Sequence, residues 1–215
     1  MAKRKNYTRA LLVLSAVIMV VWGLMGAGTS LAWFTDTDEV VENVFHFADF
    51  EVQAEYRDKN GTWKSIEGDT AIFDKDALYE PGYTEVIYLR VTNKGDVPFD
   101  FKTAVMVTDY SEPTNIFGQR FHLQDYLSFG LTPPVSSEKE MDALVADREL
   151  AMAYATMELS NYAIEVAELD DGQTVYMALV VHMPKEVGNA ANYIGDTVPK
   201  VFLGLIVTAT QQTKE

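Results

Sequence analysis

The residues able to do chemistry are few in kind and scattered. There are three histidines, His46, His122 and His182, far apart along the chain. No H-E-x-x-H pair exists to put two zinc-binding imidazoles on one helix face. No G-x-S-x-G elbow, phosphate loop or G-x-G-x-x-G turn occurs. The absence of cysteine removes thiol catalysis, thiolate metal sites, disulfide staples and lipid attachment at an N-terminal cysteine. Carboxylates are abundant, with 32 Asp and Glu, but no pair stands out by spacing. A two-carboxylate hydrolase depends on separation in space, and these acids read instead as an exposed, solvated face. His182 lies in an apolar run and reads as a packed or edge residue rather than a ligand. Asp58-Lys59-Asn60-Gly61 opens with calcium-loop spacing, yet its glycine falls two positions early and Asp69 stands where a bidentate glutamate belongs. The cluster therefore reads as a hairpin turn with Gly61 at positive φ. No catalytic residue, cofactor or metal ligand is assigned; weak calcium binding by acidic loops is left open.

Charge narrows the partners. Lys and Arg total 17 against 32 acids, a formal net charge of −15. Four cations, Lys3, Arg4, Lys5 and Arg9, fall in the first 32 residues, which hold no acid. Residues 33–215 thus keep 13 cations against 32 acids, or −19. Such a body repels nucleic-acid phosphates and anionic lipid heads, so no nucleic-acid partner is expected.

The basic start leads into an apolar run, Ala10 to Ala27, followed by the small-x-small site Ser30-Leu31-Ala32. Basic, apolar, then small residues is the layout of a secretory signal. Residues 1–32 are read as a signal helix cleaved by signal peptidase after Ala32, which leaves Trp33 as the first mature residue. Membrane contact is expected only through this segment before cleavage.

The elements beyond it follow from periodicity. Phe50, Val52, Ala54 and Tyr56 alternate with Glu51, Gln53 and Glu55, the period of a strand with one wet face. A second arm at Thr62–Ile66 completes a hairpin. Strands are also expected at Thr84–Thr92, from Phe99 to Val107, at Tyr162–Val166, at Thr174–Met183 and at Val201–Thr210. Pro113, Asn115 and Gly118 mark a long connection, and Leu123–Leu127 a single helical turn. Ser137 and Glu140 form a capping box that opens a helix running to about Met157, with Met141, Leu144, Val145 and Met152 on one face. That helix is expected to cover one end of a sandwich. Seven to nine strands without strand–helix alternation give an all-β fold with minor helix, an antiparallel β-sandwich over 44–215.

Three blocks carry a resemblance. The first is Gly28-Thr29-Ser30-Leu31-Ala32-Trp33-Phe34-Thr35-Asp36-Thr37 with Asn43-Val44-Phe45. The second is Pro81-Gly82, then Val86–Val91 and Asn93-Lys94-Gly95. The third is Asn192-Tyr193-Ile194-Gly195-Asp196-Thr197, then Val201–Ala209, Thr210 and Gln211. Together they resemble the TasA/camelysin family, whose members carry a SipW-dependent type of signal peptide. Ile194 replaces the family's usual glutamine, and Phe47-Ala48-Asp49-Phe50 stands where many members have a glycine-containing step. The resemblance implies a secreted jelly-roll-like sandwich that polymerises into extracellular biofilm-matrix fibres, as main or accessory subunit, at the cell surface or in the matrix. Its partners would be copies of itself or homologous subunits. It further implies that residues 33–43 act as a donor strand, with Trp33, Phe34, Val40 and Val41 the apolar anchors. An alternative implied by the same resemblance is a camelysin-type metallo-endopeptidase, for which the sequence offers no zinc motif.

Overall fold

The computed structural model describes residues 44–46, 51–66, 70–74, 79–159 and 164–211. Twelve strands are found among them. In chain order they are β1 (Val44–His46), β2 (Val52–Arg57), β3 (Trp63–Ser65), β4 (Thr84–Asn93), β5 (Phe99–Tyr110) and β6 (Thr114–Asn115). They continue with β7 (Ser128–Leu131), β8 (Met157–Glu158), β9 (Ile164–Leu169), β10 (Thr174–His182), β11 (Tyr193–Ile194) and β12 (Val201–Gln211). Two short helices, α1 (Glu138–Leu144) and α2 (Arg148–Met152), and two 3-10 turns, Leu123–Tyr126 and Lys185–Ala191, complete the set.

One sheet has the order β3-β2-β4-β10-β7-β8 and a second the order β1-β12-β5-β9, with β6 and β11 forming a small pair. Alternating residues of the two large sheets meet in one core. Ile87, Leu89 and Val91 of β4 and Met177, Leu179 and Val181 of β10 pack with Phe99, Phe101 and Val105 of β5 and Leu203, Leu205 and Val207 of β12. The protein is therefore an all-β sandwich with minor helix. Among the described residues all strand pairings are antiparallel except one: β1 runs parallel to β12, with Val44 opposite Ile206 and His46 opposite Thr208.

The hairpin at Asp58–Gly61 forms as the sequence predicts. Gly61 takes φ 79°. Asp58 Oδ1 accepts the N–H groups of Asn60 and Thr62, both at 2.9 Å, and its other oxygen meets Lys64 Nζ at 2.7 Å. The Lys64 ammonium and these amides hold the Asp58 carboxyl down at about 2.

Three expectations are corrected. The single helix is two. Asp147 caps α2 by accepting Leu150 N–H at 2.9 Å, so the chain turns at Val145–Asp147. Val145 and Ala151 are both buried, yet six residues apart they lie about 120° apart around a straight helix. The break lets both face the sheet, and Ala151 rather than Met152 takes the buried position. Nor do the helices cover an end. Met141, Val145 and Ala151 pack on Ala178 and Val180 of β10, over the outer face of the six-stranded sheet. That same layer overturns the wet face of β2. Glu55 is buried and paired bidentately with Arg90, while Arg57 reaches both Glu138 and Asp142 of α1.

Candidate functional site

Among the described residues one strand is paired unequally on its two sides. β5 pairs with β12 along its whole length, from Phe99 opposite Gln211 to Tyr110 opposite Val201. On its other side β9 covers only Phe99 to Thr103. From Ala104 to Tyr110, no strand among the described residues pairs with that side of β5. An unpaired edge presents backbone N–H and C=O groups that an extended segment can bond.

A groove of about 700 Å³ runs along this edge. Ala104, Val105, Met106 and Val107 of β5, with Leu159 and Ile206, give it apolar walls. Gln124 and Asp125 of the first 3-10 turn and Glu158 at the end of β8 supply the polar part. Gln124 Oε1 is buried with no hydrogen-bond partner. A buried acceptor of this kind is costly unless a donor arrives, and a backbone N–H entering the groove is such a donor. At the far end Tyr110 lies against His122, ring centroids 4.7 Å apart. His122 Nε2 in turn meets Glu112 at 2.9 Å, and Arg120 lies 3.5 Å from the same carboxylate.

The residues singled out by sequence have structural positions. Pro81 and Gly82 form a turn in which Tyr83 N–H donates to Glu80 O at 2.8 Å and Gly82 has φ 92°. Gly82 N–H also donates to Met183 O at 2.7 Å, which extends the β4–β10 ladder. Asn93, 1% exposed, donates from Nδ2 to Val97 O at 2.9 Å and to Leu169 O at 3.2 Å. Its Oδ1 accepts Gly95 N–H at 3.0 Å. Asn93 thus ties the turn after β4 to the end of β9, across the two sheets. Asn192 is buried and bonds Asn189, while Tyr193 pairs with Asn115, and Gly195 takes φ 89°. Phe45 stands opposite Val207, Ala209 is buried in β12, and Thr210 and Gln211 pair with Asp100 and Phe99. These motif residues are fold brackets, spread over both sheets and both ends. Ser30, Ala32, Trp33, Phe34, Val40, Val41 and Asn43 lie outside the described residues.

The histidines do not converge. His46 is in β1 and His122 at the groove's end. His182 is buried at the end of β10, where its Nδ1 meets Tyr83 O at 2.8 Å and Thr84 Oγ1 at 2.9 Å. Burial holds this imidazole below its usual value, assisted by Arg148 and Lys185, against the pull of the Tyr83 carbonyl. Among the described residues no three His, Cys, Asp or Glu side chains are grouped to hold a metal ion.

Sequence reasoning missed the groove. Its one trace was a mismatch of lengths: an expected strand of five residues at Tyr162–Val166 and a much longer run from Phe99.

No known protein family matches the sequence, and no curated protein matches it. Among solved structures it is similar, at 7% identity and a TM-score of 0.24, to a family 123 glycoside hydrolase from Clostridium perfringens studied for glycolipid glycan hydrolysis. The match covers 61% of this chain, which spans only 21% of that one.

Proposed function

We propose that the chain is an exported structural protein that polymerises by strand addition into extracellular fibres, as main or accessory subunit, in the manner of the TasA/camelysin family it resembles. The observation that carries this reading is the side of β5 from Ala104 to Tyr110, along which no strand among the described residues pairs, with an apolar groove beside it. The complementary part is the segment Trp33–Asn43, freed when residues 1–32 are removed. In an extended conformation Trp33, Thr35, Thr37, Glu39 and Val41 share one face and Phe34, Asp36, Asp38, Val40 and Glu42 the other, so each face carries one aromatic ring and one valine. Backbone hydrogen bonds would supply affinity, and Trp33 and Phe34 the anchoring area. Each chain carries both a donor and an acceptor, and such a head-to-tail contact does not close on itself, so it grows as a filament.

The test places Trp33→Asp and Phe34→Asp together in the full chain and examines the exported protein by negative-stain electron microscopy and circular dichroism. A folded monomer without filaments is expected. Filaments of normal length would overturn the reading.

A further inference from the structure

The part of the surface that best fits a second partner contact is the tip formed by β6 and β11. Three large apolar side chains stand out there: Phe117 is 65% exposed, Ile194 50% and Ile116 44%. They are presented by a rigid loop. Asn115, 2% exposed, accepts the N–H groups of Phe117 and Gln119 on Oδ1, both at 3.0 Å, and donates from Nδ2 to Ala190 O at 3.2 Å. Gly118 takes φ 78°, and Ile116 N–H donates to Asn192 O at 2.9 Å. A backbone already held in one geometry has little further entropy to lose when its side chains are covered.

The tip also carries no acid in a molecule rich in them. Residues 113–121 and 187–195, which the β6–β11 pairing brings together, contain no acid and one cation, Arg120. Two copies that repel over the rest of their surface can approach here, where the one cation, Arg120, already lies 3.5 Å from Glu112 of its own chain.

The tip is continuous with the groove. Tyr110 lines the groove and contacts His122. Between these two residues the chain goes out and back, with Phe121 N–H on Pro113 O at 3.1 Å and Asn115 N–H on Gln119 O at 2.7 Å. The hairpin thus rises from the groove's Tyr110 end. At the other end, beyond Thr103, the same edge is taken by β9. A segment seated in the groove has a free N-terminus on one side and a folded body, beginning at β1, on the other. The body must leave at the Tyr110 end, which makes the segment parallel to β5. Extended chain rises about 3.3 Å per residue, so seven paired residues take up about 23 Å and leave roughly four residues, or about 13 Å, before Val44.

On this basis, and resting on the strand-addition reading above, we infer that Ile116, Phe117 and Ile194 dock against the body of the second copy whose N-terminal segment fills the groove. The segment supplies the link, and the tip fixes the angle and stiffness between consecutive bodies.

The test compares two substitution sets in the full chain. Ile116→Ser, Phe117→Ser and Ile194→Ser together should leave the melting temperature within a few degrees. They should lower filament mass at equal concentration by at least tenfold, while Phe117→Leu retains filaments. In parallel, a labelled peptide with the sequence of residues 33–43 is titrated into the Trp33→Asp/Phe34→Asp protein, with and without the three serines. Equal binding to both, within twofold, together with the loss of filaments supports the tip contact. Unchanged filaments overturn it and leave strand addition standing. Peptide binding lost only with the serines puts the tip in the groove wall and also overturns it. A peptide that binds neither protein removes strand addition, and the tip contact with it.

Discussion

Glu85 is the side chain least suited to its surroundings. It sits on the inner face of β4, on the same side as Ile87, Leu89 and Val91, and is 8% exposed. Tyr79 Oη–H donates to one of its oxygens and Asp74 N–H to the other. These bonds pin the segment ahead of β4 onto the sandwich, where Ile72 and Tyr79 join the core. Burial pushes the Glu85 carboxyl up from 4.5, and the two hydrogen bonds only partly oppose it. Burial likewise keeps the Tyr79 hydroxyl protonated far beyond neutrality, so it remains the donor. The sign of the linkage follows. A carboxyl raised in the folded state favours folding while it is protonated, below about 4.5, and loses that contribution as pH rises through its folded value. Glu85→Gln keeps both contacts, since Nε2–H can donate to the Tyr79 oxygen while Oε1 accepts from Asp74. Its melting temperature should match that of the parent near pH 4 and exceed it increasingly toward pH 7. A constant difference across that range would show that Glu85 is not the titrating group. None of this was legible in sequence, where Glu85 reads as one more surface acid. Asn93 is the opposite case. The end of the strand at Thr92 was readable, but the bond from Asn93 to Leu169, 76 residues away, required the fold.

The elements were legible where periodicity is strong and both faces have a single fate. β10 is buried on both sides and reads as a continuous apolar run; β4 alternates between the core and the helix layer. Reading failed where polar residues are buried in pairs. Glu55, Arg57 and Arg90 look like a solvated face, but their charges cancel locally and their stems cover aromatic rings. Arg57 Cζ lies 3.8 Å from the Tyr88 ring centroid, and Arg90 Cζ 4.8 Å from that of Trp63. Arg57 then grips α1 through Glu138 and Asp142, each at 2.6 Å. Asp142 foremost, with Glu138, holds the guanidinium charged against the cost of burial. This clamp helps fix a seven-residue helix that would not persist alone. Both carboxylates are more than a third exposed, so removing the arginine strands no buried charge. Arg57→Met, which keeps the stem, should therefore cost only about 1–2 kcal/mol in urea denaturation. Arg57→Lys should recover little of it, because an ammonium neither stacks flat on Tyr88 nor bonds two carboxylates in a fork. Full recovery by lysine would mean that charge alone holds α1.

At the scale of the molecule, the sandwich was readable from its alternation. The parallel β1–β12 pair was not, because three residues carry no period. The groove escaped because it arises from the unequal lengths of β5 and β9, a property of two strands together. What sequence does settle at this scale is charge. Copies bearing −15, of which residues 33–215 carry −19, must meet repeatedly if they form a filament. At about 0.01 M salt the screening length is about 30 Å, comparable to a domain, and bodies repel along their whole facing surfaces. At about 0.15 M it is about 8 Å, and repulsion is confined to near contacts. The attractive parts invoked here, backbone hydrogen bonds in the groove and the apolar side chains of the tip, are scarcely weakened by salt. Assembly should therefore be promoted by monovalent salt: the lowest protein concentration giving filaments, followed by light scattering, should fall several-fold between those two salt levels. Contacts held chiefly by ion pairs would behave in the opposite way, with filaments dissolving as salt rises. That outcome would move the interface off the tip and groove and onto the charged faces. The direction of the salt response thus tests the apolar assembly surface without any substitution.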